Sequence, residues 1–94
     1  MPWYRVTYRP EVAEDLASVE KEMAQRLLEK TKWLASNAAN LRHEPLADDL
    51  PALAKYTVGE WCIVYALDAG KRLVDVHLIG RRKDLYRPRG TRRA

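Results

Sequence analysis

Two short turn signals divide the stretch from Leu50 to Tyr86 into three segments, and this division constrains the fold more than any other feature. The turns are Val58-Gly59-Glu60 and Asp68-Ala69-Gly70-Lys71. The segments themselves are mainly β-branched, aromatic or aliphatic, which favours strands. Because strands joined by such short turns are antiparallel neighbours, the stretch predicts a three-stranded meander that runs into a cationic cluster.

The segment before the meander predicts one strand and two helices. Residues 4–9 alternate between apolar and polar side chains, as in a half-buried strand. Pro10 ends that strand and suits the first turn of a short helix, Glu11 to Ala17. Ser18 is the expected N-cap of a longer helix that runs from Val19 to about Ser36. Its core-facing stripe is Val19, Met23, Leu27 and Leu34, widened by Ala24, Leu28 and Ala35.

Residues 37–49 show little periodicity and are interpreted as a connection; they include His43, a lone imidazole. The predicted order is therefore β-α-α-β-β-β. This is an α+β fold in which an N-terminal helical hairpin covers one face of a small, antiparallel-dominated sheet. Since the first strand cannot reach the meander through a tight turn, we expect a crossover and parallel pairing with one meander strand.

Length and composition indicate one globular domain, residues 1–87, followed by a basic tail, residues 88–94. Apolar residues make up 47% and charged residues 32% of the 94-residue chain, which excludes a disordered protein. Cys62 is the single cysteine, so no disulfide can form within the chain. No apolar run approaches the roughly 20 residues of a membrane span, and the N-terminus lacks a signal-peptide core. We expect a cytoplasmic protein without membrane association.

Positive charge is concentrated at the C-terminal end of the chain. The net charge is +4, yet the first eighty residues hold ten basic and twelve acidic side chains. The last fourteen residues hold one acid, Asp84, and seven bases: Arg81, Arg82, Lys83, Arg87, Arg89, Arg92 and Arg93. Such an end can bind a phosphate backbone or an acidic protein.

Strand alternation predicts which side chains share a face. In the middle strand of the meander, Trp61, Ile63, Tyr65 and Leu67 form the bulky set expected under the helices. Cys62 then lies on the uncovered face, and pairing across the Gly59 turn brings Lys55 and Thr57 near it. The same region is rimmed by Arg81, Arg82, Lys83 and Tyr86.

The residue types on this face suit RNA cleavage without a metal or cofactor. The sequence has no phosphate-binding glycine loop and no Cys or His pairs at metal-ligand spacing. A cluster of Lys, Arg and Tyr without an acid fits RNA, which carries its own nucleophile, the 2′-hydroxyl. Cations can stabilise the phosphate and a tyrosine can transfer a proton or stack a base. Binding alone is the alternative function of such a rim.

Several motifs, in order and spacing, resemble the RelE/ParE family of bacterial type II toxins. The family has a Val-Gly-Asp-Tyr-Arg-Ile-Val-Tyr hairpin and closes on Ile-Gly-His-Arg-x-x-Val-Tyr. The resemblance covers residues 4–87. It rests on Ala13-Glu14-Asp15-Leu16, Leu50-Pro51-Ala52-Leu53, Val58-Gly59-Glu60-Trp61-Cys62-Ile63-Val64-Tyr65 and Ile79-Gly80-Arg81-Arg82-Lys83-Asp84-Leu85-Tyr86.

The resemblance implies a microbial RNase-like fold, with a sheet of four to five strands and two N-terminal helices. It also implies a cognate antitoxin that wraps and neutralises the toxin. In the RelE branch, the toxin enters the ribosomal A site and cleaves mRNA without a metal. In the ParE branch, the target is DNA gyrase.

The family's functional residues carry over at three positions. Arg82 matches the arginine of the Gly-x-Arg motif, Tyr86 the C-terminal tyrosine of the mRNA-cleaving branch, and Lys55 a basic strand position. We expect these three to be catalytic, and Arg81, Lys83, Arg87 and Arg89 to bind RNA and the ribosome. Two positions depart from the pattern: Cys62 replaces the hairpin arginine, and Leu53 replaces a second lysine.

These departures leave three interpretations open. The first is a ribosome-dependent mRNA endoribonuclease that inhibits translation, favoured by Lys55, Arg82 and Tyr86. The second is a ParE-like gyrase inhibitor without enzymatic activity, which the missing arginine at Cys62 keeps open. The third is an attenuated or inactive homologue that binds only an antitoxin. Trp33, off the helical stripe, is expected to pack at the helix–sheet margin, with antitoxin contact as the alternative.

Overall fold

A computed structural model describes residues 3–47 and 50–85, with only the backbone described at 50, 51, 84 and 85. In these ranges no helix is long and apolar enough to cross a membrane. The elements, in chain order, are β1 (Arg5–Tyr8), α1 (Pro10–Ala17), α2 (Lys21–Asn37), a 3-10 helix (Ala38–Asn40), β2 (Glu44–Ala47), β3 (Leu50–Val58), β4 (Trp61–Asp68), β5 (Leu73–Arg81) and α3 (Arg82–Leu85).

The five strands form one mixed sheet in the order β1-β5-β4-β3-β2. Strands β3, β4 and β5 pair antiparallel in succession, which confirms the predicted meander. Strand β1 pairs parallel with β5, as the crossover argument predicted. The interpretation of residues 37–49 as a connection was wrong, because β2 lies within them and pairs antiparallel with β3.

The two helices begin close to where the sequence predicts, but their junction differs. Pro10 occupies the first turn of α1, where its missing N–H costs nothing. Ser18 is not the N-cap of the second helix. It follows the last turn of α1, and its hydroxyl donates to the backbone carbonyl of Asp15 at 2.8 Å. Glu20 precedes the first residue of α2.

Helix α2 packs on the sheet through its predicted stripe. Leu27 and Leu34 are fully buried, and Met23 packs against the same core. The pattern missed Thr31, which is also fully buried. Its hydroxyl donates to the Leu28 carbonyl at 2.6 Å and lies 2.7 Å from the Tyr8 hydroxyl. These bonds allow a polar side chain inside an apolar layer and tie α2 to β1.

Trp33 lies at the margin between α2 and the sheet, as predicted. Its ring centroid is 5.8 Å from that of Tyr56, and the Lys30 ammonium lies 4.7 Å from the Trp33 ring centroid. The side chain is nevertheless 39% exposed. A residue with one packed and one open face stabilises the margin and still offers surface to another molecule.

Two partly buried hydrogen bonds of His43 tie the start of β2 to the core. The His43 Nε2–H donates to the Ala38 carbonyl at 2.9 Å, so Nδ1 accepts from the Tyr65 hydroxyl at 2.6 Å. This role of His43 could not be predicted from the sequence, because its partner Tyr65 lies on another strand. These hydrogen bonds position the next residue, Glu44, which begins the edge strand β2.

Tyr65 gives the fold a measurable pH dependence. Burial raises the pKa of Tyr65 to about 12, and Tyr56 and Cys62 add to the rise. Its unfolded pKa is about 10, so its stabilising contribution is complete below pH 10 and is lost as the pH approaches 12. At neutral pH, Tyr65→Phe should lower the free energy of unfolding by about 1–3 kcal/mol, because His43 loses its donor.

Urea denaturation from pH 7 to 12 tests this expectation. The difference in unfolding free energy between the wild-type protein and Tyr65→Phe should be constant up to about pH 10 and shrink above it. A difference that stays constant through pH 12 would contradict a buried, protonated Tyr65.

Candidate functional site

The candidate site is built on the face of the β3–β4 hairpin that carries Cys62. The hairpin turns at Gly59, whose φ of 59° is a left-handed conformation that glycine adopts without strain. Its register places Lys55 opposite Val64 and Thr57 opposite Cys62. Directly opposed residues lie on the same face, so Lys55, Thr57 and Cys62 share one side of the sheet, as the sequence predicted.

This face is less open than predicted. Tyr65 and Ile63, on the opposite side of β4, belong to the core cluster that contains the residues of α2. Cys62 and Val64 lie outside that cluster, yet each is only 1% exposed. The middle of this face is therefore apolar and buried. Only the side chains around Cys62 and Val64 can take part in polar chemistry.

Lys55 is paired with an acid that the sequence analysis did not place here. Glu44 of β2 lies opposite Lys55 in the strand register, and its carboxylate is 3.6 Å from the Lys55 ammonium. The lysine side chain is 10% exposed and the glutamate side chain 67% exposed. The predicted cluster without an acid is therefore wrong: a carboxylate lies beside its lysine.

Charges around Cys62 show which groups converge there. Burial raises the pKa of the Cys62 thiol, while the positive charges of Lys55 and Arg82 oppose the rise and Glu44 adds to it. Lys55, Arg82 and Glu44 therefore all lie close enough to act on one thiol. The thiol itself stays protonated at neutral pH, so it is neither a nucleophile nor a cation.

Arg81 lies beside the Gly59 turn, opposite Trp61 and so on the Trp61 face of β4, not on the Cys62 face where the sequence analysis placed it. The Arg81 guanidinium donates to the Glu60 carboxylate at 2.9 Å and lies 4.9 Å from the Trp61 ring centroid. The next residue, Arg82, donates its backbone N–H to the Glu60 carbonyl at 2.7 Å. These contacts hold the end of β5 against the Gly59 turn and so fix the backbone position of Arg82.

A groove of about 420 Å³ lies at this end of the sheet. The side chains of Arg81, Arg82 and Lys83 are exposed. Three consecutive cations beside an open groove can hold an anionic chain such as a nucleic-acid backbone. Its described lining is Gly59, Glu60, Arg81, Arg82 and Lys83.

An ion pair joins the end of β1 to β5 at the β1 edge of the sheet. There, Asp75 accepts from the Arg9 guanidinium at 3.1 Å and from the Thr7 hydroxyl at 3.1 Å. Arg9 therefore has a carboxylate partner at this edge, away from the exposed Arg82 and Lys83 beside the Gly59 turn.

The structure describes some of the predicted site residues and not others. Lys55 and Arg82, the predicted catalytic cations, both lie near Cys62. Tyr86, Arg87 and Arg89 lie outside the described residues, so their predicted roles stay predictions. Glu44 could not be found by pattern, because it precedes a proline in a stretch without periodicity and reaches Lys55 only through strand pairing.

Comparison with known proteins gives matches at the level of structure. No protein-family model matches the sequence, and no match is found among curated protein sequences. The toxin–antitoxin complex RelBE2 from Mycobacterium tuberculosis contains a similar chain, with a TM-score of 0.77 and 18% identity over 87% of this chain and 94% of that one.

Two further solved structures extend the match. The isolated RelE toxin of E. coli has a TM-score of 0.67 and 13% identity, over 96% of this chain and 93% of that chain. The RelE–RelB complex from Pyrococcus horikoshii has a TM-score of 0.66 and 21% identity, over 84% of this chain and 94% of that chain. The five-stranded sheet with its two N-terminal helices is thus the fold of the RelE toxins.

Proposed function

We propose that the protein is the toxin of a type II toxin–antitoxin system and that it acts in the cytoplasm by cleaving mRNA on the ribosome. The support is the RelE fold combined with a cationic face at one end of its sheet. The proposed reaction is attack of the RNA 2′-hydroxyl on the adjacent phosphate, without a metal or cofactor.

One observation carries this proposal: a lysine–glutamate pair and an arginine act on the same part of the sheet. Lys55 and Glu44 are 3.6 Å apart, and the charges of both, together with that of Arg82, act on the Cys62 thiol. A cation beside a carboxylate is suited to a reaction in which a proton leaves a hydroxyl while negative charge develops on a phosphate.

The residues divide the chemistry as follows. The Glu44 carboxylate accepts the proton of the 2′-hydroxyl, whose oxygen forms a bond to phosphorus. Arg82 and Lys55 stabilise the charge on the phosphoryl oxygens. The bond from phosphorus to the 5′-oxygen breaks, and Tyr86 donates a proton to that leaving oxygen. The products are a 2′,3′-cyclic phosphate and a 5′-hydroxyl.

The uncharged thiol of Cys62 is expected to make the rate of RNA cleavage lower. The family pattern has an arginine there, and the buried Cys62 supplies no positive charge. Transition-state stabilisation by cations then depends on Arg82 and Lys55. We therefore propose an attenuated nuclease in which the loss of either remaining cation has a large effect.

Partners follow from the same proposal. RelE chains in the similar structures from M. tuberculosis and P. horikoshii are in complexes with antitoxins. We propose that a cognate antitoxin binds this chain as well, and that the half-exposed Trp33 contributes to the contact. Arg81, Lys83, Arg87 and Arg89 are proposed to contact RNA and the ribosome.

The first prediction of the proposed function concerns Arg82. Arg82→Ala should lower the rate of mRNA cleavage by roughly 100-fold or more, because a cation is lost from the charge-developing phosphate. The measurement is induction of the protein in cells, with mapping of mRNA 5′ ends. Arg26→Ala, an exposed arginine on α2, removes the same charge elsewhere and should leave cleavage unchanged.

The same cells distinguish the alternatives. Intact transcripts together with trapped gyrase–DNA breaks would overturn the nuclease proposal in favour of gyrase inhibition. Intact transcripts, normal plasmid topology and retained antitoxin binding would instead indicate an inactive homologue.

The second prediction concerns Glu44. Glu44→Gln keeps the size of the side chain but removes its proton-accepting carboxylate, so single-turnover cleavage of ribosome-bound mRNA should slow by roughly 100-fold. Glu29→Gln, on the exposed face of α2, is the matched control. If Glu44 served only to neutralise Lys55, the glutamine variant would instead bind and cleave RNA better than the wild-type protein, which would contradict its role as a base.

A further inference from the structure

Helix α1 contacts the sheet through a carboxylate as well as through apolar packing. Val12 is 1% exposed and belongs to the core. One turn later, Asp15 accepts a hydrogen bond at its Oδ2 from the backbone N–H of Ile79 in β5, at 2.9 Å. The two residues are 64 positions apart, so this bond joins the start of the chain to the strand that leads to Arg82.

The Ile79 N–H needs this partner because β1 is too short to supply one. Strand β1 pairs with β5 only as far as Tyr8, which lies opposite Val76, and Arg9 donates to the Val76 carbonyl. Ile79 itself is 3% exposed, so water is a poor substitute. Asp15 thus takes the place of a neighbouring strand at the point where β1 has ended.

The same stretch of β5 contains an irregularity in its pairing with β4. Val64 lies opposite Leu78, whereas the next residue of β4, Tyr65, lies opposite Val76. His77 is therefore an extra residue, a bulge that interrupts the ladder between β4 and β5. Asp15 bonds to Ile79, which is two residues after this bulge, and so fixes the position of β5 beyond it.

The residues after the anchor are those of the candidate site. Gly80 lies opposite Cys62, Arg81 opposite Trp61, and Arg82 follows directly at the end of the strand. The Arg82 N–H is held by the Glu60 carbonyl at 2.7 Å. A shift of β5 at Ile79 would therefore be carried over three residues to the side chain proposed to stabilise the phosphate.

We propose that Asp15 is a positioning residue for Arg82: its carboxylate holds β5 beyond the bulge so that the guanidinium meets the scissile phosphate. This inference rests on the proposed function. It assigns the Asp15 side chain, within the Ala13-Glu14-Asp15-Leu16 motif, a task that helix formation does not require, since the carboxylate bonds to the sheet.

The test compares Asp15→Ala with Asp15→Asn and with Glu14→Ala, which removes an exposed carboxylate from the same helix. Asp15→Ala should lower the single-turnover rate of cleavage by roughly tenfold, with little change in the concentration of ribosomes needed for half-saturation. Asp15→Asn retains an acceptor oxygen and should keep the rate within about threefold of wild type. Glu14→Ala should have no effect.

Coupling to Arg82 separates positioning from general stability. In an Arg82→Ala background, Asp15→Ala should cause no further loss of cleavage, because the side chain it positions is already absent. Losses that multiply in the double variant would overturn the inference and indicate a merely structural role.

Amide hydrogen exchange supplies a readout that does not depend on RNA. Asp15→Ala should accelerate exchange at Ile79 and Arg82 more than at Ile63 in the centre of β4. Unchanged exchange at Arg82 would overturn the positioning of that residue by Asp15. Absence of cleavage by the wild-type protein would overturn the proposed function, and exchange at Arg82 would still decide whether Asp15 holds the strand.

Discussion

The register of the β3–β4 hairpin is the constraint on which the rest of the structure depends. It places Lys55 and Thr57 opposite Val64 and Cys62 on one face, while Tyr65 points into the core beneath α2. A slip of one residue would exchange the two faces, exposing the core set and burying the cations. The left-handed turn at Gly59 and the Tyr65–His43 hydrogen bond both oppose such a slip.

Most of the fold could be predicted from local pattern, because each predicted element has its own periodicity or turn residues. Strand β2 could not, since Glu44–Ala47 contains a proline and no alternation, and exists only because β3 offers an edge to pair with. Ser18 failed as an N-cap because its hydroxyl bonds backward to the Asp15 carbonyl at the end of α1 and not forward to α2. Thr31 was missed because its hydroxyl is satisfied by Tyr8, on a distant strand.

The candidate site, like the fold, could be predicted from the sequence only in part. Alternation was enough to place Lys55 on the Cys62 face, because its position follows from strand register, and motif order placed Arg82 directly after the last strand. Glu44 and Asp15 were not predictable as parts of the site, since each acts through a partner on another element: Glu44 on Lys55 of β3, and Asp15 on the Ile79 amide of β5. Two acidic residues thus contribute to a site that composition alone describes as basic: Glu44 pairs with Lys55, and Asp15 bonds to the backbone of β5.

The central claim is that this face directs the 2′-hydroxyl of RNA against its own phosphate, and one substrate change tests it directly. A message is placed on the ribosome with a single 2′-deoxynucleotide on the 5′ side of a mapped cleavage position, and the purified protein is added. Cleavage should vanish at that position and persist at unmodified ones, with 2′,3′-cyclic phosphate ends. Continued cleavage at the deoxynucleotide would contradict the account, because the nucleophile would then have to come from elsewhere.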